Sequence, residues 1–265
     1  MAFGVFQSGG RNGSGATLSQ ELIVSVGGTP VGGSNTGEVF PAGTPLETVL
    51  RDILIKAFNP TLALSTDIAT LMQESGTILS PTFISTFTQN DGGPLLTKIL
   101  KKNAVQISAV FPYQDLNIQL PDGDIVYISQ ATFSAGAIPA GTANSNTITY
   151  QGRRKIFGGT PGATPATSAA VRALALNALN PLAGSQLLIP IAQGSTQVVF
   201  AYPASLQDVS SVLYVEFSNS EVKTLFTKTF VNVEGANGYA PVSYKVYSYT
   251  PIQPFQTAVN YRVII

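Results

Sequence analysis

The chain has 265 residues, of which 14 are Lys or Arg, 14 are Asp or Glu, and none is His, Cys or Trp. The lack of Cys and His excludes disulfides, thiolate or imidazole catalysis, and the usual zinc and iron–sulfur ligand sets. Charged residues make up 11% of the chain, against about 25% in an average globular protein, and the zero formal net charge argues against a general nucleic-acid binder.

Residues 1–40 are rich in Gly and Ser, and such a stretch buries little surface and costs backbone entropy to fix. One short strand is predicted at residues 22–26. Apolar side chains near the start, Phe3, Val5 and Phe6, favour an arm that is ordered on a neighbouring subunit; a free leader is the alternative. We expect neither a signal peptide nor a membrane span, because no apolar run approaches the ~20 residues that a span needs.

The clearest local pattern predicts one helix over residues 44–57. Thr44 and Glu47 have the spacing of a capping box, in which the Glu47 amide donates to the Thr44 hydroxyl and the Thr44 amide donates to the Glu47 carboxylate. Asn59 and Pro60 end the helix. Apolar residues at helical spacing form one stripe: Leu46, Val49, Leu50, Ile53, Leu54 and Ala57. We expect this stripe to pack either on the chain's own core or around the axis of an oligomer.

Beyond residue 60 the pattern changes to short strands and turns, which predicts an Ig-like β-sandwich over residues 60–157. Residues 77–88 are rich in Thr and β-branched side chains. A hairpin is predicted where the Pro-Asp-Gly turn at 121–123 connects the alternating residues 116–120 to residues 125–129.

A second β-sandwich is predicted over residues 158–265, after a Gly/Pro-rich linker at 158–165. A short helix is predicted at 168–179 and a tight turn at Asn237–Gly238. Turn residues separate six further predicted strands: 187–191, 197–202, 212–217, 229–233, 242–249 and 259–265. The predicted fold class is therefore mostly β, with an N-terminal arm (1–40), one helical segment (41–59) and two sandwiches.

No catalytic constellation is recognisable, so we predict that the protein is not an enzyme and has no cofactor or metal. Asp115, Asp122 and Asp124 could ligate Ca²⁺ in principle, but they lack the dense carboxylate spacing of a dedicated site and are interpreted as turn residues. The basic run at 153–155 (Arg-Arg-Lys) is too thin for a nucleic-acid patch and is expected to face solvent or pair with acidic neighbours. The tyrosines between 239 and 249 are interpreted as core residues; a contact surface for protein or glycan is the alternative.

Several strings have a familiar form: EVFPAGTPLETVL at 38–50, ESGTILSPT at 74–82 with NDGG at 90–93, RRKIFG at 153–158, and FAYPA, NVEGANGY and YKVY between 200 and 247. Together they resemble structural proteins of tailed bacteriophages that infect Bacteroidetes, including the crAss-like group. Within such proteins, the strings from 74 to 158 are similar to the opening and exit of an Ig-like module, and the last three resemble a terminal β-domain.

The resemblance implies a structural virion component, most simply a head-fibre or tail-fibre appendage that is attached by its N-terminal region and displays β-domains for host attachment. A capsid decoration protein, a tail or neck adaptor without host contact, and a glycan-binding adhesin are the alternatives. The implied partners are capsid, portal or tail proteins and a host surface glycan; neither nucleic acid nor membrane is expected. The apolar leader, the helix stripe and the low charge content favour a homo-oligomer, with a trimer preferred. The implied location is the virion, assembled in the host cytoplasm. The residues expected to mediate assembly are Phe3, Val5, Phe6, Leu46, Val49, Leu50, Ile53 and Leu54.

Overall fold

A computed structural model of the chain describes residues 39–54, 58–136, 138–179 and 184–265, preceded by the two-residue strands at 6–7, 17–18 and 22–23. Side chains are described from residue 39 onward, apart from those of residues 51–54. The protein is mostly β, as the sequence predicts, and its described part contains two short α-helices. The chain divides into two compact units: residues 1–63, 86–99 and 129–145 form the first, and residues 64–85, 100–128 and 146–265 form the second.

The first unit begins with two small strand pairs. Strand β1 (Phe6–Gln7) pairs with β2 (Thr17–Leu18), and β3 (Leu22–Ile23) pairs with β4 (Val39–Phe40), each antiparallel. A small core in this unit consists of Leu62, Ala131, Phe133 and Ala143, with Phe87 and Ile138 packed against it.

Helix α1 (Leu46–Leu54) lies within the predicted helical segment. It starts two residues later than predicted, because Thr44 closes a turn: its amide and its hydroxyl both donate to the Pro41 carbonyl, at 3.1 and 2.7 Å. Residues 55–57 of the predicted helix lie outside the described residues.

The strands between residues 61 and 153 form the N-terminal sandwich. They are β5 (Thr61–Thr66), β6 (Met72–Glu74), β7 (Ile78–Leu79), β8 (Thr82–Thr88), β9 (Leu95–Lys102), β10 (Val105–Ser108), β11 (Tyr113–Gln114), β12 (Ile118–Gln119), β13 (Gly123–Phe133) and β14 (Gly141–Arg153). One sheet has the order β10-β9-β13-β14-β6 and the other the order β11-β8-β5. Within the second unit, Phe83 of β8 is fully buried against Tyr127 of β13 and Tyr150 of β14, so a closed apolar core separates the two sheets.

The predicted hairpin around residues 121–123 is wrong. Strand β12 pairs with β7 and not with β13, which lies between β9 and β14 in the five-stranded sheet. The Pro-Asp-Gly sequence therefore carries the chain from one strand pair to a different sheet. The alternation that suggested the hairpin is nevertheless real, since Ile118 and Leu120 are both buried.

The strands from residue 155 onward form the C-terminal sandwich. They are β15 (Lys155–Gly159), β16 (Leu176–Leu179), β17 (Gln186–Ile191), β18 (Val198–Pro203), β19 (Ser211–Tyr214), β20 (Ser220–Glu221), β21 (Thr227–Val233), β22 (Val242–Tyr249) and β23 (Val259–Ile264). A sheet of order β16-β15-β18-β22-β21 packs on a sheet of order β17-β23-β19-β20. Each of the six predicted strands is present, and the last one alternates as predicted, with Val259, Tyr261 and Val263 buried.

Central strand β18 is buried along its whole length because its sheet is covered on both faces. Val198, Phe200 and Tyr202 face the core between the two sheets. Val199 and Ala201 face a second apolar layer, to which α2 (Ser168–Arg172) contributes the buried Val171.

Two predictions near residue 160 need correction. The predicted helix at 168–179 ends at Arg172, and residues 176–179 form edge strand β16 instead. Gly158 and Gly159, which were assigned to the linker, end strand β15. A Cβ atom at Gly158 would come within 2.8 Å of a Leu187 methyl group on the opposite sheet, so a larger residue would have to displace that side chain. The Ig-like character of the sandwiches and the proposed domain division stay predictions.

Candidate functional site

Charged and tightly packed residues concentrate where the C-terminal sandwich meets the strands before it. We call this region the joint, and define it as Glu74, Ser75, Gly76, Asp122, Arg154, Lys155, Arg172 and residues 234–240. All of these residues belong to the second compact unit.

Arg154 is the most enclosed cation of the joint, since its side chain is only 7% exposed. Its Nε and Nη2 atoms donate to the two carboxylate oxygens of Asp122, at 2.7 and 2.8 Å. Nη2 also donates to the Ala240 carbonyl at 2.7 Å, and the guanidinium carbon lies 5.1 Å from the centre of the Tyr239 ring. The planar guanidinium, bound through two nitrogen atoms, fixes both the orientation and the distance of the Asp122 carboxylate. A lysine ammonium would fix the distance alone.

Glu74 ends strand β6 and binds two cations from the C-terminal sandwich. Arg172 of α2 donates to Oε1, and the Lys155 ammonium lies 3.1 Å from Oε2. Arg172 also donates to the Glu234 carbonyl at 2.7 Å. Burial by itself would raise the pKa of Glu74, but the hydrogen bonds from Arg172 and Lys155 outweigh it and lower that pKa.

Asp122 has the same balance of effects. Burial is the largest single effect and would raise the pKa of this carboxyl, but the hydrogen bonds from Arg154 and Ser75 and the positive charge of Arg154 together lower that pKa. Glu74 and Asp122 are therefore ionised at neutral pH. Glu74 bridges to β15 and α2 of the C-terminal sandwich, and Asp122 binds Arg154, which directly precedes β15.

Backbone contacts close the joint around these ion pairs. The Ala236 amide donates to the Ser75 carbonyl at 2.8 Å, and the Asn237 side chain donates to the Gly76 carbonyl at 3.0 Å. Gly76 has a φ of +92°, and a Cβ atom there would lie 2.1 Å from the Ala236 carbonyl oxygen. Gly235 has the same role on the other side, since its Cβ atom would lie 2.3 Å from the Ser75 carbonyl oxygen. Glycine is thus required on both sides of the contact.

An open cleft of about 490 Å³ lies beside the joint. Its walls include Asp122, Arg153, Ser205 and Ser243, so hydroxyl and charged groups reach the same space. Arg153 is paired with Asp124 at 2.7 Å. The cleft therefore presents charged and hydroxyl groups among mainly apolar wall atoms, and Arg153, Arg154 and Asp122 are paired within the chain.

The basic run at 153–155 pairs with acidic neighbours, which is one of the two outcomes that the sequence predicts for it. Members of the basic run at 153–155 pair in turn with Asp124, Asp122 and Glu74. Of the three aspartates that the sequence interprets as turn residues, Asp122 lies in a bend, but Asp124 lies in strand β13, so the interpretation is wrong for Asp124. Asp115 binds Lys102 at 3.0 Å and accepts a hydrogen bond from the Tyr127 hydroxyl at 2.7 Å. In the part of the chain that the structure describes, no group of three or more acidic residues could hold a metal ion.

The tyrosines between residues 239 and 249 lie mainly in the core, as predicted. Tyr244 and Tyr247 are 1% and 5% exposed, and Tyr249 packs against the core between the two sheets. Tyr239 is the exception, because its ring covers Arg154 in the joint.

The residues that the sequence proposes for assembly are only partly described. Phe3 and Val5 lie outside the described residues, and Phe6 lies in β1. Ile53 and Leu54 lie in α1. Among the stripe residues whose side chains are described, Val49 is 2% exposed, Leu46 is half-buried and Leu50 is 45% exposed. One face of α1 is therefore buried in the single chain, while Leu50 remains open to solvent.

Sequence reasoning missed the joint as a whole. Arg154 and Asp122 are 32 positions apart, and Arg172 and Glu74 are 98 positions apart, so no local pattern connects them. The available signals were isolated ones: a basic run after a strand, and an Asn-Gly pair whose residues both have positive φ.

None of the helices in the described ranges is long and apolar enough to cross a membrane. Comparisons with known proteins give no match to a family model, to a curated protein or to a solved structure.

Proposed function

We propose that the protein is a non-enzymatic structural component of a tailed-bacteriophage virion, a head-fibre or tail-fibre appendage that is attached by its N-terminal region and displays its β-sandwiches. The observation that supports this role is the joint. Two salt-bridged acids, a buried arginine fork and two glycine-dependent backbone contacts fasten the C-terminal sandwich to the strands before it.

A fastened joint suits display better than catalysis or signalling. An appendage has to hold its outer part at a fixed place on the particle, so flexibility between its modules would be a disadvantage. Domains joined by small polar interfaces normally move relative to one another. Here the contacts are partly buried, charge-assisted and directional, which favours one arrangement of the two parts.

The proposal includes capsid, portal or tail proteins as partners, assembly in the host cytoplasm, and a homo-oligomer with a trimer favoured. Gene replacement in the phage that encodes the chain tests it. Particles carrying the full-length protein should contain it after gradient purification, and particles made with a version that lacks residues 1–36 should not. The β-sandwiches of the truncated protein should still fold, because they lie beyond the deletion. Absence of the full-length protein from purified particles would refute the virion role.

Immunogold labelling of the same particles separates the variants of this role. Label on the head or on a tail appendage supports a fibre, whereas label confined to the capsid lattice or the neck supports a decoration protein or an adaptor.

The cleft beside the joint favours one further candidate, the glycan-binding adhesin, because the volume of the cleft falls in the range of small-ligand sites and its walls carry hydroxyl groups. Binding on a glycan array that Ser243→Tyr abolishes, by filling the cleft, would support that candidate.

A further inference from the structure

Strand β21 is an exposed edge of the C-terminal sandwich. It pairs with β22 along all seven of its residues, and its other side has no neighbouring strand within the described residues. Strand β21 is the longest edge strand of any sheet within the described residues. The next longest edge strands, β5 and β17, have six residues each, and β17 contains Pro190. Five of the seven β21 residues are exposed.

The two faces of β21 differ in character. Lys228, Phe230 and Asn232 share the face on which Tyr247 and Lys245 lie across the strand pair. Phe230 is 60% exposed there, and the Lys228 ammonium lies 6.0 Å from the centre of its ring. The other face carries four β-branched side chains, of which Val231 is half-buried and Val233 is buried in the apolar layer that includes Val171: Thr227, Thr229, Val231 and Val233.

Natural proteins usually protect a long edge strand with a proline, a bulge or a free charge. The register of β21 with β22 runs without a shift, and the sequence from 227 to 233 contains neither Pro nor Gly. The charge of its single lysine is taken up by Asp208, since Lys228 Nζ lies 2.9 Å from Oδ2. Its edge is consequently suited to pair with another strand.

We propose that β21 pairs antiparallel with β21 of a second copy of this chain, about a two-fold axis at Phe230. Outward-facing N–H and C=O groups belong to alternate residues of a strand, so odd residues must face odd ones and even residues even ones. Centring the pair on Phe230 satisfies this condition and is the register in which all seven residues of both strands are paired.

The side chains are self-complementary in that register. Phe230 faces its own copy, Thr229 faces Val231, and Thr227 faces Val233. Lys228 faces Asn232, so the two lysines are kept apart and no like charges lie opposite each other. The aromatic pair and the pairs of Thr229 with Val231 would thus replace exposed surface on both copies, whereas Val233 is already buried in its own chain.

This two-fold contact is separate from the proposed three-fold contact and does not rest on the virion role. Three-fold symmetry cannot pair a strand with its own copy, whereas two-fold symmetry creates such a self-matching interface. A β21 pair alone gives a dimer and the N-terminal contact alone gives a trimer; both together give a hexamer when the two axes meet at a right angle.

Sedimentation of the full chain at several protein concentrations tests the proposal. Phe230→Lys would place two ammonium groups opposite each other and remove the aromatic pair, so the two-fold association should weaken at least about tenfold. Ile252→Lys is the matched control, because Ile252 is an equally apolar surface residue of the same sandwich and is 100% exposed. Both variants should melt like the unmodified chain.

Cysteine cross-linking tests the register directly, because the chain has no cysteine of its own. Phe230→Cys should form a disulfide-linked dimer under mild oxidation, whereas Ile252→Cys should not. Lys228→Cys should cross-link in a mixture with Asn232→Cys and much less well by itself, since only unlike positions face each other. A chain without two-fold association, an association that Phe230→Lys leaves intact, or cross-linking no better at 230 than at 252 would each overturn the proposal.

Discussion

Arg154 concentrates the joint's polar contacts in one side chain. Its guanidinium makes two bonds to Asp122 and one to the Ala240 carbonyl, and it is covered by Tyr239. Removing one partner of an enclosed ion pair costs more than the pair contributes, because the remaining group keeps its burial and loses its compensation.

Arg154→Gln should therefore lower the free energy of unfolding by about 1.5–3 kcal/mol, a value moderated by the partial exposure of Asp122. Arg153→Gln is the matched control: it removes the neighbouring pair with Asp124, whose side chains are 23% and 41% exposed, and should cost less than about 1 kcal/mol. Urea unfolding of both variants measures the difference. Equal losses of unfolding free energy in the two variants would contradict a larger contribution from the enclosed Arg154–Asp122 pair.

Glu74 makes stability depend on acid pH. Its pKa in the folded chain is lowered from 4.5, so its contribution is complete above that value and is lost as the pH falls through the lower, folded pKa. Glu74→Gln should cost about 1–3 kcal/mol at neutral pH, and its stability should fall less steeply below pH 4.5. Denaturant midpoints across that range measure both effects, and parallel pH curves for the two proteins would contradict the assignment.

Helix α1 shows how far local pattern predicts an element. Its position and its apolar stripe follow from spacing, but the sequence does not tell which side of the stripe the chain itself covers. The structure separates two neighbours on the helix, with Val49 at 2% exposure and Leu50 at 45%.

Val49→Asp should lower the melting temperature of the chain, since it leaves a carboxylate among apolar neighbours at a cost of several kcal/mol. Leu50→Asp should leave that melt almost unchanged and, if the stripe lies at an oligomer axis, should break the assembly. Circular dichroism melts run beside sedimentation distinguish the two. A clear drop in melting temperature with Leu50→Asp would place that residue in the chain's own core.

The errors at the element scale have one physical origin. The alternation at 116–120 correctly predicts which side chains are buried, but strand partners are chosen by contacts across the whole chain. Here β12 pairs with β7, more than thirty residues upstream, because the buried Ile118 of β12 and Leu79 of β7 belong to one apolar core.

The C-terminal half of the predicted second helix is wrong for the same reason. The helix predicted to reach residue 179 stops at Arg172, and residues 176–179 add a strand to the sheet edge through pairing with β15. Strand positions were thus predictable from local pattern, whereas their partners and the joint were not.

At the scale of the molecule, the joint should make the two sandwiches unfold together. Gly76→Ala tests this, because the left-handed φ and the close Ala236 carbonyl leave no room for a methyl group. We expect a loss of more than about 1 kcal/mol and a calorimetric transition that broadens or splits in two. Gly162→Ala, where a Cβ atom meets nothing within 4 Å, is the control and should keep the shape of the unmodified transition. A sharp single transition in both variants would contradict coupling through the joint.

The pairing of charges also determines how the protein meets other molecules in solution. Arg153, Arg154, Lys155, Arg172, Lys228 and Lys245 each lie within salt-bridge distance of a carboxylate, and the chain as a whole carries 14 charges of either sign. Opposite charges held this close cancel at a distance, and what remains is screened beyond about 8 Å at physiological ionic strength. The molecule therefore exerts little long-range electrostatic attraction or repulsion on an approaching partner. Its encounters depend on diffusion and on short-range fit, a property that is almost independent of the salt content of the medium.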